Sequence, residues 1–368
     1  MTHRERILAA VNHLPVDRIP TDMWATPEVQ EILFDHFNIK IGKETKTDTI
    51  GLLGGYLSRG VEALLVLWDR LGVDGIIDVR APYIGDKQFT KEGIFYTEWG
   101  FGYKAIDYGR GVYDEQVVFP LDGISTIEEL EAFSWPSPDD YDYDALPGII
   151  DQCGGRAVSC GYLAVFTFHQ YLRGLELNMM DPLMMPEFTK ALIKKVTDFY
   201  LEYLERCFIA GKGRIDFTQV TDDWGSQKGL LSSIEIFNDF YRATMQRGID
   251  LAKSHNINVF HHNDGDCRQL IPTLVDMGID ILNPIQWSCG DWDLAELKRM
   301  YGKDLCFHSA VDNQHTLPFG TPADVQKEVR HLIETLGSDG TGFILGPCHN
   351  LQSNTPVENI LALYNSIS

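Results

Sequence analysis

The residues best suited to chemistry in this chain stand at or just after the ends of short apolar runs. The run at 258–262 leads into His262 and Asp264, and the run at 342–346 leads into Cys348 and His349. His262 and Asp264 point the same way on an extended chain, because one residue separates them. Imidazole and thiolate both bind Zn²⁺, and a catalytic zinc has three protein ligands and an open position. We therefore predict a metal site of His262, Asp264 and Cys348, although a hydrogen-bonded polar cluster would show the same spacing.

Two adjacent carboxylates, Asp222 and Asp223, follow the run at 215–220. Carboxylates at such a position can bind a polar substrate, transfer a proton or hold a metal-bound histidine in place. We predict that this pair is catalytic. The alternative is that one of them caps the N-terminus of the next helix, a role for which Asp and Ser are strongly preferred.

Further polar and aromatic side chains end the other runs, and we predict that they line a substrate pocket. Aromatic walls with a few polar groups are typical of sites for small organic ligands. Each aromatic residue taken alone is more often part of the core. The predicted substrate-binding residues are Trp24, Asp78, Arg80, Tyr162, Trp224, Gln286 and Asp312.

Eight such apolar runs are spaced along the chain, and they alternate with helical patterns in its second half. This alternation predicts a parallel sheet with crossover helices. Eight parallel strands with functional groups at their carboxyl ends are the layout of a TIM barrel enzyme. We predict one α/β domain, a (β/α)8 barrel over residues 1–368, with strands at 18–24, 74–79, 156–161, 215–220, 258–262, 280–284, 305–310 and 342–346.

Two additions to the barrel are expected. Residues 1–14 carry apolar side chains at helical spacing and predict an N-terminal amphipathic helix. Residues 81–150, after the second strand, contain an aromatic, Gly-rich stretch with alternating pattern, and we predict a β-hairpin insertion followed by a surface connection. The other predicted helices cover 27–37, 61–71, 126–133, 186–210, 232–254, 267–277, 293–301, 322–336 and 356–366.

The composition argues against several classes of protein. The chain has 31 basic and 53 acidic residues and a net charge of −22, whereas nucleic acid is bound by clusters of Lys and Arg. No apolar stretch reaches the roughly 18 residues of a membrane span, and the charged N-terminus does not resemble a secretory signal. The seven cysteines include no CxxC pair and are irregularly spaced. We expect a cytoplasmic protein that binds neither nucleic acid nor membrane.

Several longer segments resemble the uroporphyrinogen decarboxylase superfamily. They are DRIPTDMWATPEV, RLGVDGIIDVR, TDDWGSQKGLLSS, HHNDGDCRQLIPTLVDMGIDILNPIQ, AVDNQHTLPFGTPADVQKEV and GFILGPCHNLQSNTPVENILALY. The resemblance spans nearly the whole chain and implies a (β/α)8 barrel. The decarboxylases of this superfamily are metal-free and grip an octacarboxylate porphyrinogen with an Arg-rich N-terminal motif and an Asp. The matching stretch here, PTDMWATPEV, contains no Arg, so we do not expect that substrate.

A second branch of the superfamily implies different chemistry. Its members are methyltransferases of corrinoid-dependent systems, and they bind zinc through a His-x-Cys pair and a distant Cys. In this chain His262 matches the His and Cys348 matches the distant Cys, but Asp264 stands at the middle position. An oxygen ligand makes the metal a stronger Lewis acid and a poorer partner for a thiolate substrate. The alternative is that Asp264 does not bind and that Cys267 or a water takes its place.

The resemblance therefore implies a zinc-dependent methyltransferase that demethylates a small O- or N-methylated substrate and passes the methyl group to a corrinoid protein. Its cofactors would be Zn²⁺ and a corrinoid carried by the partner. Aryl methyl ethers, methylamines, methanol and betaines are all open as donors. One alternative is a metal-free decarboxylase or lyase with Asp78 or Asp222 as the acid and Arg80 as the anion partner. Another is a non-catalytic barrel that holds a tetrapyrrole or corrinoid.

Overall fold

Seven of the eight predicted strands belong to one curled sheet. The computed structural model of the chain describes residues 1–41, 49–53, 55–109 and 111–367. Its strands in chain order are β1 (Ile50–Leu52), β2 (Ile76–Val79), β3 (Phe89–Lys91), β4 (Ile94–Tyr96), β5 (Gly102–Asp107), β6 (Val112–Val118), β7 (Ala157–Leu163), β8 (Phe217–Val220), β9 (Gly225–Ser226), β10 (Gly229–Leu230), β11 (Asn258–His262), β12 (Ile281–Asn283), β13 (Cys306–His308) and β14 (Phe343–Ile344). The main sheet has the order β1-β2-β7-β8-β11-β12-β13-β14. Only β1, which the sequence did not predict, is antiparallel to its neighbour.

The first predicted strand lies between the two ends of this sheet. Thr21 forms a parallel bridge with Leu345, directly after β14. The carbonyl of Thr21 also accepts hydrogen bonds from the amides of Asp74 and Gly75, just before β2. Because this segment contacts both β2 and β14, the α/β fold is barrel-like and consistent with a TIM barrel.

Side chains that point into the barrel form an apolar layer followed by a polar one. The apolar layer is one buried cluster that includes Ile76, Ala157, Phe217, Phe260, Ile281, Cys306 and Ile344. Side chains of a strand alternate between its two faces, so residues two positions further along also point inward. Six of those seven positions hold Asp78, Ser159, Gln219, His262, Asn283 and His308, and the seventh is Gly346. The polar layer therefore lies at the carboxyl ends of the strands, where TIM barrel enzymes carry their active sites.

The helices begin and end largely where local signals predict. They are α1 (His3–Val11), α2 (Pro27–His36), α3 (Val61–Leu71), α4 (Ile127–Ala132), α5 (Leu146–Asp151), α6 (Val165–Arg173), α7 (Leu175–Met184), α8 (Pro186–Gly211), α9 (Ile234–Ile236), α10 (Arg242–Ser254), α11 (Ile271–Met277), α12 (Leu294–Tyr301), α13 (Thr316–Phe319), α14 (Pro322–Thr335) and α15 (Val357–Asn365). The long helix α8, for example, has Pro186 in its first turn and buries Leu192 and Val196. None of these helices, within the residues described, is both long and apolar enough to cross a bilayer.

The insertion after β2 is larger than the single hairpin that the sequence predicted. Strands β3 to β6 form a four-stranded antiparallel sheet, separate from the barrel sheet. Strands β3 and β4 are joined by Glu92 and Gly93. Both residues have positive φ, as the central residues of a type I′ hairpin turn require. Most residues of β3 and β6 are exposed, so alternation of apolar and polar residues was too weak to define four strands.

Four helices, α5, α6, α7 and α13, were not predicted, and one predicted helix is divided. Helices α6 and α7 occupy a segment for which no helix was predicted. The residue before α6, Ala164, offers no side-chain cap, so the sequence lacks the usual signal for a helix start. The predicted helix at 232–254 is instead divided, because Phe237–Tyr241 between α9 and α10 forms a π-helical turn.

Candidate metal centre

Three side chains with metal-ligating atoms meet at the carboxyl end of the barrel. His262 ends β11, Asp264 follows two residues later, and His349 follows β14. The Nε2 atoms of His262 and His349 each lie 3.6 Å from a carboxylate oxygen of Asp264. Among the described residues these three form the group whose ligand atoms all lie within 4.8 Å of one another. The sequence therefore placed two of the three residues of this group.

The turn that carries Asp264 is held in place by its neighbours. The amide of Asp264 donates to Asp223 Oδ1 at 3.0 Å, and the amide of Gly265 donates to Gln286 Oε1 at 2.7 Å. A Cβ atom on Gly225 would lie 2.1 Å from the Asp264 carbonyl oxygen, so the two backbones touch here. Glycine is therefore required at 225 for a packing reason that also fixes the position of Asp264.

The charges around His262 favour its cation in the metal-free protein. Burial opposes that cation, but the carboxylates of Asp264 and Asp223 outweigh burial and raise the pKa of His262 to about 9. Burial likewise opposes the anion of Asp264, yet His262 and His349 together lower the pKa of that carboxyl. The pKa of His349 is lowered by its own burial. At neutral pH the group thus offers an anionic oxygen and one neutral imidazole, and a metal ion would displace a proton from the other.

The group fits a zinc ion. Ligand atoms about 2.0–2.1 Å from a tetrahedral Zn²⁺ lie about 3.3 Å apart, close to the two 3.6 Å separations. Two imidazoles and one carboxylate are also a ligand set that catalytic zinc uses, with a fourth position open. The Nδ1 atom of His262 lies 2.6 Å from Asn283 Oδ1, so its other ring nitrogen faces the group. Metal-bound histidines nearly always have such a partner on the second nitrogen.

Cys348, the third predicted ligand, has a different environment. Its thiol lies 3.5 Å from the carbonyl oxygen of Ile285 and is buried. Burial, with the nearby carboxylates of Asp312 and Glu328, raises the pKa of this thiol well above its ordinary value. Among the described residues, the ligand atoms that lie within 4.8 Å of one another belong to His262, Asp264 and His349, and the sulfur of Cys348 is not one of them.

The two predicted catalytic carboxylates, Asp222 and Asp223, have different surroundings. Asp223 is half exposed, and its Oδ1 lies 3.6 Å from His262 Nε2, beside the three ligand side chains. Asp222 is buried, and its two oxygens accept hydrogen bonds from the amides of Phe166 and Thr167 in the first turn of α6. Burial raises the pKa of Asp222 to about 8, while these two hydrogen bonds favour the anion. Asp222 therefore caps a helix, as the alternative interpretation has it, although the helix is α6 and not the next one.

Trp24 and Tyr162 lie near the metal-ligand group. The Trp24 ring centroid is 5.5 Å from that of His262 and 5.9 Å from that of His349. Tyr162, next to β8, interacts electrostatically with Asp222 and Asp223, and its burial raises its pKa well above the ordinary value. Trp24 is thus placed to form part of a wall beside the group, and Tyr162 lies close to the adjoining carboxylate of Asp223.

Asp78 and Arg80 form an ion pair at the end of β2. Arg80 Nε lies 3.1 Å from Asp78 Oδ2, and the Arg80 side chain is about half exposed. The other oxygen, Oδ1, is buried without a hydrogen-bond partner in the part of the chain that the structure describes. Burial raises the pKa of Asp78 in spite of Arg80. The pair offers a cation and a weakly acidic carboxyl to the barrel mouth.

The remaining predicted substrate-binding residues have structural partners. Trp224 is fully buried and stacks on Phe166, with ring centroids 4.1 Å apart, so it lies in the core and not at a mouth. Gln286 supports the turn after Asp264, as described above. Asp312 is buried and accepts hydrogen bonds from the Gln314 amide and the His315 ring.

His349 is the site residue that the sequence did not select, although it adjoins the predicted Cys348. The chain after β14 is not a regular strand; it forms one bridge, between Pro347 and Val311. Alternation of side chains therefore gave no reason to choose between Cys348 and His349. A preference for one kind of ligand set, two histidines with a carboxylate, would have been the available signal.

Comparisons with known proteins agree with this geometry at the level of fold and family. The sequence model of the uroporphyrinogen decarboxylase (URO-D) family matches residues 105–368. A uroporphyrinogen decarboxylase of Aliivibrio salmonicida is 23% identical over 180 residues, which cover 47% of this chain and 46% of that protein. One of Photobacterium profundum is 24% identical over 174 residues, covering 46% and 44%. The chain thus spans about half the length of the curated relatives it matches.

The solved structures that resemble this chain include one that matches its whole length. It is a methyltransferase from Methanosarcina mazei, with a TM-score of 0.65 and 17% sequence identity, and the similarity covers 100% of this chain and 98% of that one. At this identity the likeness shows a shared fold. The family match covers well over half of the sequence and includes all three residues of the metal-ligand group. The chain belongs to the uroporphyrinogen decarboxylase (URO-D) family.

Proposed function

We propose that this protein is a methyltransferase that uses zinc to demethylate a small O- or N-methylated substrate and passes the methyl group to a corrinoid carried by a partner protein. The observation that carries the proposal is the meeting of His262, Asp264 and His349 at the carboxyl end of the barrel. It revises the predicted ligand set, because His349 replaces Cys348. The alternative for Asp264, that it does not bind, is disfavoured by its position between the two imidazoles.

The proposal assigns a separate role to each group of residues at the site. His262, Asp264 and His349 would hold the ion, and Zn²⁺ in such a set polarises a bound oxygen and stabilises negative charge on it. Asp223 lies beside His262 and is half exposed, so it is placed to orient the substrate. Trp24 and Tyr162 would shape the cavity beside the reacting methyl group.

Two further facts support methyl transfer. A solved structure that matches the entire chain is named a methyltransferase, whereas the curated relatives named decarboxylases match about half of it. The segment that would hold an octacarboxylate, around Trp24, contains no arginine between residues 19 and 58. The corrinoid partner follows from the resemblance to the methyltransferase branch of the superfamily.

Metal analysis of purified protein and single variants tests the ligand set. Wild-type protein reconstituted with ZnCl2 and desalted should retain close to one zinc per chain, and His262→Ala, Asp264→Ala and His349→Ala should lose it. Cys348→Ser should retain zinc, and His315→Ala, with an exposed side chain, is the matched histidine control. Loss of zinc in Cys348→Ser with retention in His349→Ala would restore the original ligand set. A wild-type chain that binds no zinc would refute the proposal.

A screen of methylated compounds with cob(I)alamin tests the reaction itself. Aryl methyl ethers, methylamines, methanol and betaines are incubated with the zinc-loaded protein, and methylcobalamin is followed by its absorbance. We expect turnover with one class, lost in His349→Ala. Formation of methylcobalamin at the same rate in the zinc-free protein would contradict the role of the metal.

The pair of Asp78 and Arg80 favours a second candidate function. A buried carboxyl with a raised pKa beside an accessible guanidinium is a suitable proton donor and anion partner for a metal-free decarboxylase of a small carboxylate. Such an activity would persist in EDTA and in His349→Ala, and it would be lost in Arg80→Gln. These outcomes separate the two candidates.

A further inference from the structure

Four polar side chains form a hydrogen-bonded chain that ends at His262. Asp22 Oδ2 lies 3.0 Å from His308 Nε2, His308 Nδ1 lies 2.7 Å from Asn283 Nδ2, and Asn283 Oδ1 lies 2.6 Å from His262 Nδ1. Asp22, Asn283 and His308 are fully buried. His262 and Asn283 are register partners on β11 and β12, and His308 ends the adjacent strand β13. The chain therefore crosses three neighbouring strands of the barrel.

The direction of the first hydrogen bond follows from the surroundings of Asp22. Its Oδ1 accepts from the amides of Met23 and Ile76, and its Oδ2 accepts from Trp24 Nε1 at 3.1 Å. A carboxylate surrounded by donors acts as an acceptor only. His308 must therefore carry a hydrogen on Nε2.

The direction of the next two bonds follows from the amide of Asn283. Its Nδ2 lies 2.7 Å from His308 Nδ1 and also 3.4 Å from the carbonyl oxygen of His308, which can only accept. The amide nitrogen thus faces His308, and His308 Nδ1 accepts from it. Asn283 Oδ1 is then left to face His262, so His262 must donate from Nδ1. In the neutral ring the lone pair of His262 then lies on Nε2, the atom that faces Asp264.

We propose that Asp22, His308 and Asn283 are positioning residues that hold His262 in the Nδ1–H tautomer, with Nε2 directed at the metal. This inference rests on the proposed function for its metal, although the tautomer is a property of the neutral His262 ring and can be observed without metal. None of the three residues contacts the ion. Partners of this kind fix the orientation of a metal-bound histidine, and losing one typically weakens metal affinity by about 10–100-fold.

Asp22 also affects the site through Trp24. The carboxylate that starts the chain also holds the indole of Trp24, whose ring lies against His262 and His349. One buried anion thereby orients both a ligand of the metal and the aromatic wall next to it. Replacing Asp22 would disturb both, so variants at Asn283 and His308 are the cleaner tests.

Variants of Asn283 separate positioning from general stability. Asn283→Leu removes the acceptor for His262 Nδ1, whereas Asn283→Asp keeps an acceptor there. We expect zinc affinity, measured against a chelating dye, to fall about 10–100-fold in Asn283→Leu and to be largely restored in Asn283→Asp. The matched control is Asn359→Leu. It removes a buried amide that donates to the Leu317 and Gly320 carbonyls and takes no part in the hydrogen bonds that lead from Asp22 to His262.

A spectroscopic measurement reads the tautomer directly. Long-range ¹H–¹⁵N spectra of protein with labelled histidines, recorded without metal at pH 10 and again with zinc, should show the His262 proton on Nδ1 in both. A proton on Nε2, or an Asn283→Leu variant with unchanged tautomer and the same affinity loss as Asn359→Leu, would overturn the inference. Should Asn283→Leu fail to fold, His308→Phe takes its place with the same expectations, because His308 is two hydrogen bonds away from His262. If wild-type protein binds no zinc, the proposed function fails, and the metal-free spectrum still decides the tautomer.

Discussion

Two adjacent histidines of β11 are expected to titrate on opposite sides of neutrality in the metal-free protein. His261 points away from the barrel interior, and its burial lowers its pKa to about 4. His262 points inward, and there the carboxylates of Asp264 and Asp223 outweigh the burial and raise the pKa to about 9. Both rings are buried on the same strand, so the two carboxylates are the cause of the difference.

Replacing both carboxylates, as Asp223→Asn with Asp264→Asn, removes that cause. Burial then acts on His262 without an opposing charge, so its pKa should fall from about 9 to below its ordinary value of about 6.5. The difference of about 2.5 pH units corresponds to about 3 kcal/mol in favour of the proton on the wild-type ring. At pH 7, about two units below the wild-type pKa of His262, zinc would have to displace the proton from this ring. This displacement would lower the zinc affinity of the wild-type protein about 100-fold.

The same two histidines affect the stability of the metal-free protein with opposite signs. The folded pKa of His262 lies above the unfolded value, so its contribution is complete below pH ~6.5 and is lost as the pH rises through about 9. The folded pKa of His261 lies below the unfolded value, so its contribution is present above pH ~6.5 and is lost as the pH falls toward about 4.

Histidine-labelled protein, stripped of metal and titrated from pH 4 to 10 by ¹H–¹⁵N spectroscopy, gives both pKa values. Asp312→Asn serves as the matched control, because that carboxylate contacts the Gln314 amide and the His315 ring and should leave His262 unchanged. A wild-type His262 that titrates near 6.5, or one that keeps a pKa near 9 in the double variant, would refute the electrostatic account of the site.

Three further predictions follow from contacts around the barrel. Gly225→Ala should weaken zinc binding at least 10-fold in a dye competition assay, because the new Cβ would meet the Asp264 carbonyl at 2.1 Å and displace that turn. Asp222→Ala should cost about 1–2 kcal/mol in urea unfolding, as the loss of a helix cap does, and leave zinc affinity intact; loss of zinc would contradict the capping role. Asp74→Asn, which breaks buried ion pairs at the opposite end of the barrel, should cost about 3–5 kcal/mol, and an effect no larger than that of the exposed Asp17→Asn would refute this.

The strands and their functional ends could be predicted because both depend on local pattern. Buried strands appear in the sequence as short apolar runs. Because side chains alternate along an extended chain, His262 and Asp264 are expected on the same face. The same rule explains the polar interior layer that includes Asn283 and His308. It could not show that these two join His262 in one hydrogen-bonded chain, because their pairing depends on the register between strands.

Other features depended on contacts between distant parts of the chain. Helix α6 was missed because its cap, Asp222, comes from the end of β8, more than 50 residues later. That contact also changes the interpretation of Asp222, since a carboxylate with both oxygens bonded to backbone amides is not free to act on a substrate. Trp224 was assigned to the mouth because it follows a strand, but it packs against Phe166 of α6.

If the proposed ligand set holds zinc, it bears on the kind of methyl donor that the proposed methyltransferase would use. A thiolate ligand such as Cys348 would donate charge to the metal and soften it, whereas His262, Asp264 and His349 supply two imidazoles and a hard oxygen. The metal in such a set is a stronger Lewis acid, and it favours an oxygen ligand in its open position over a thiolate. Asp223 adds another negative charge on the same side, which disfavours an anionic substrate near His262. These two arguments together favour a neutral oxygen-bound methyl group, as in an aryl ether or an alcohol, among the donors that the sequence left open.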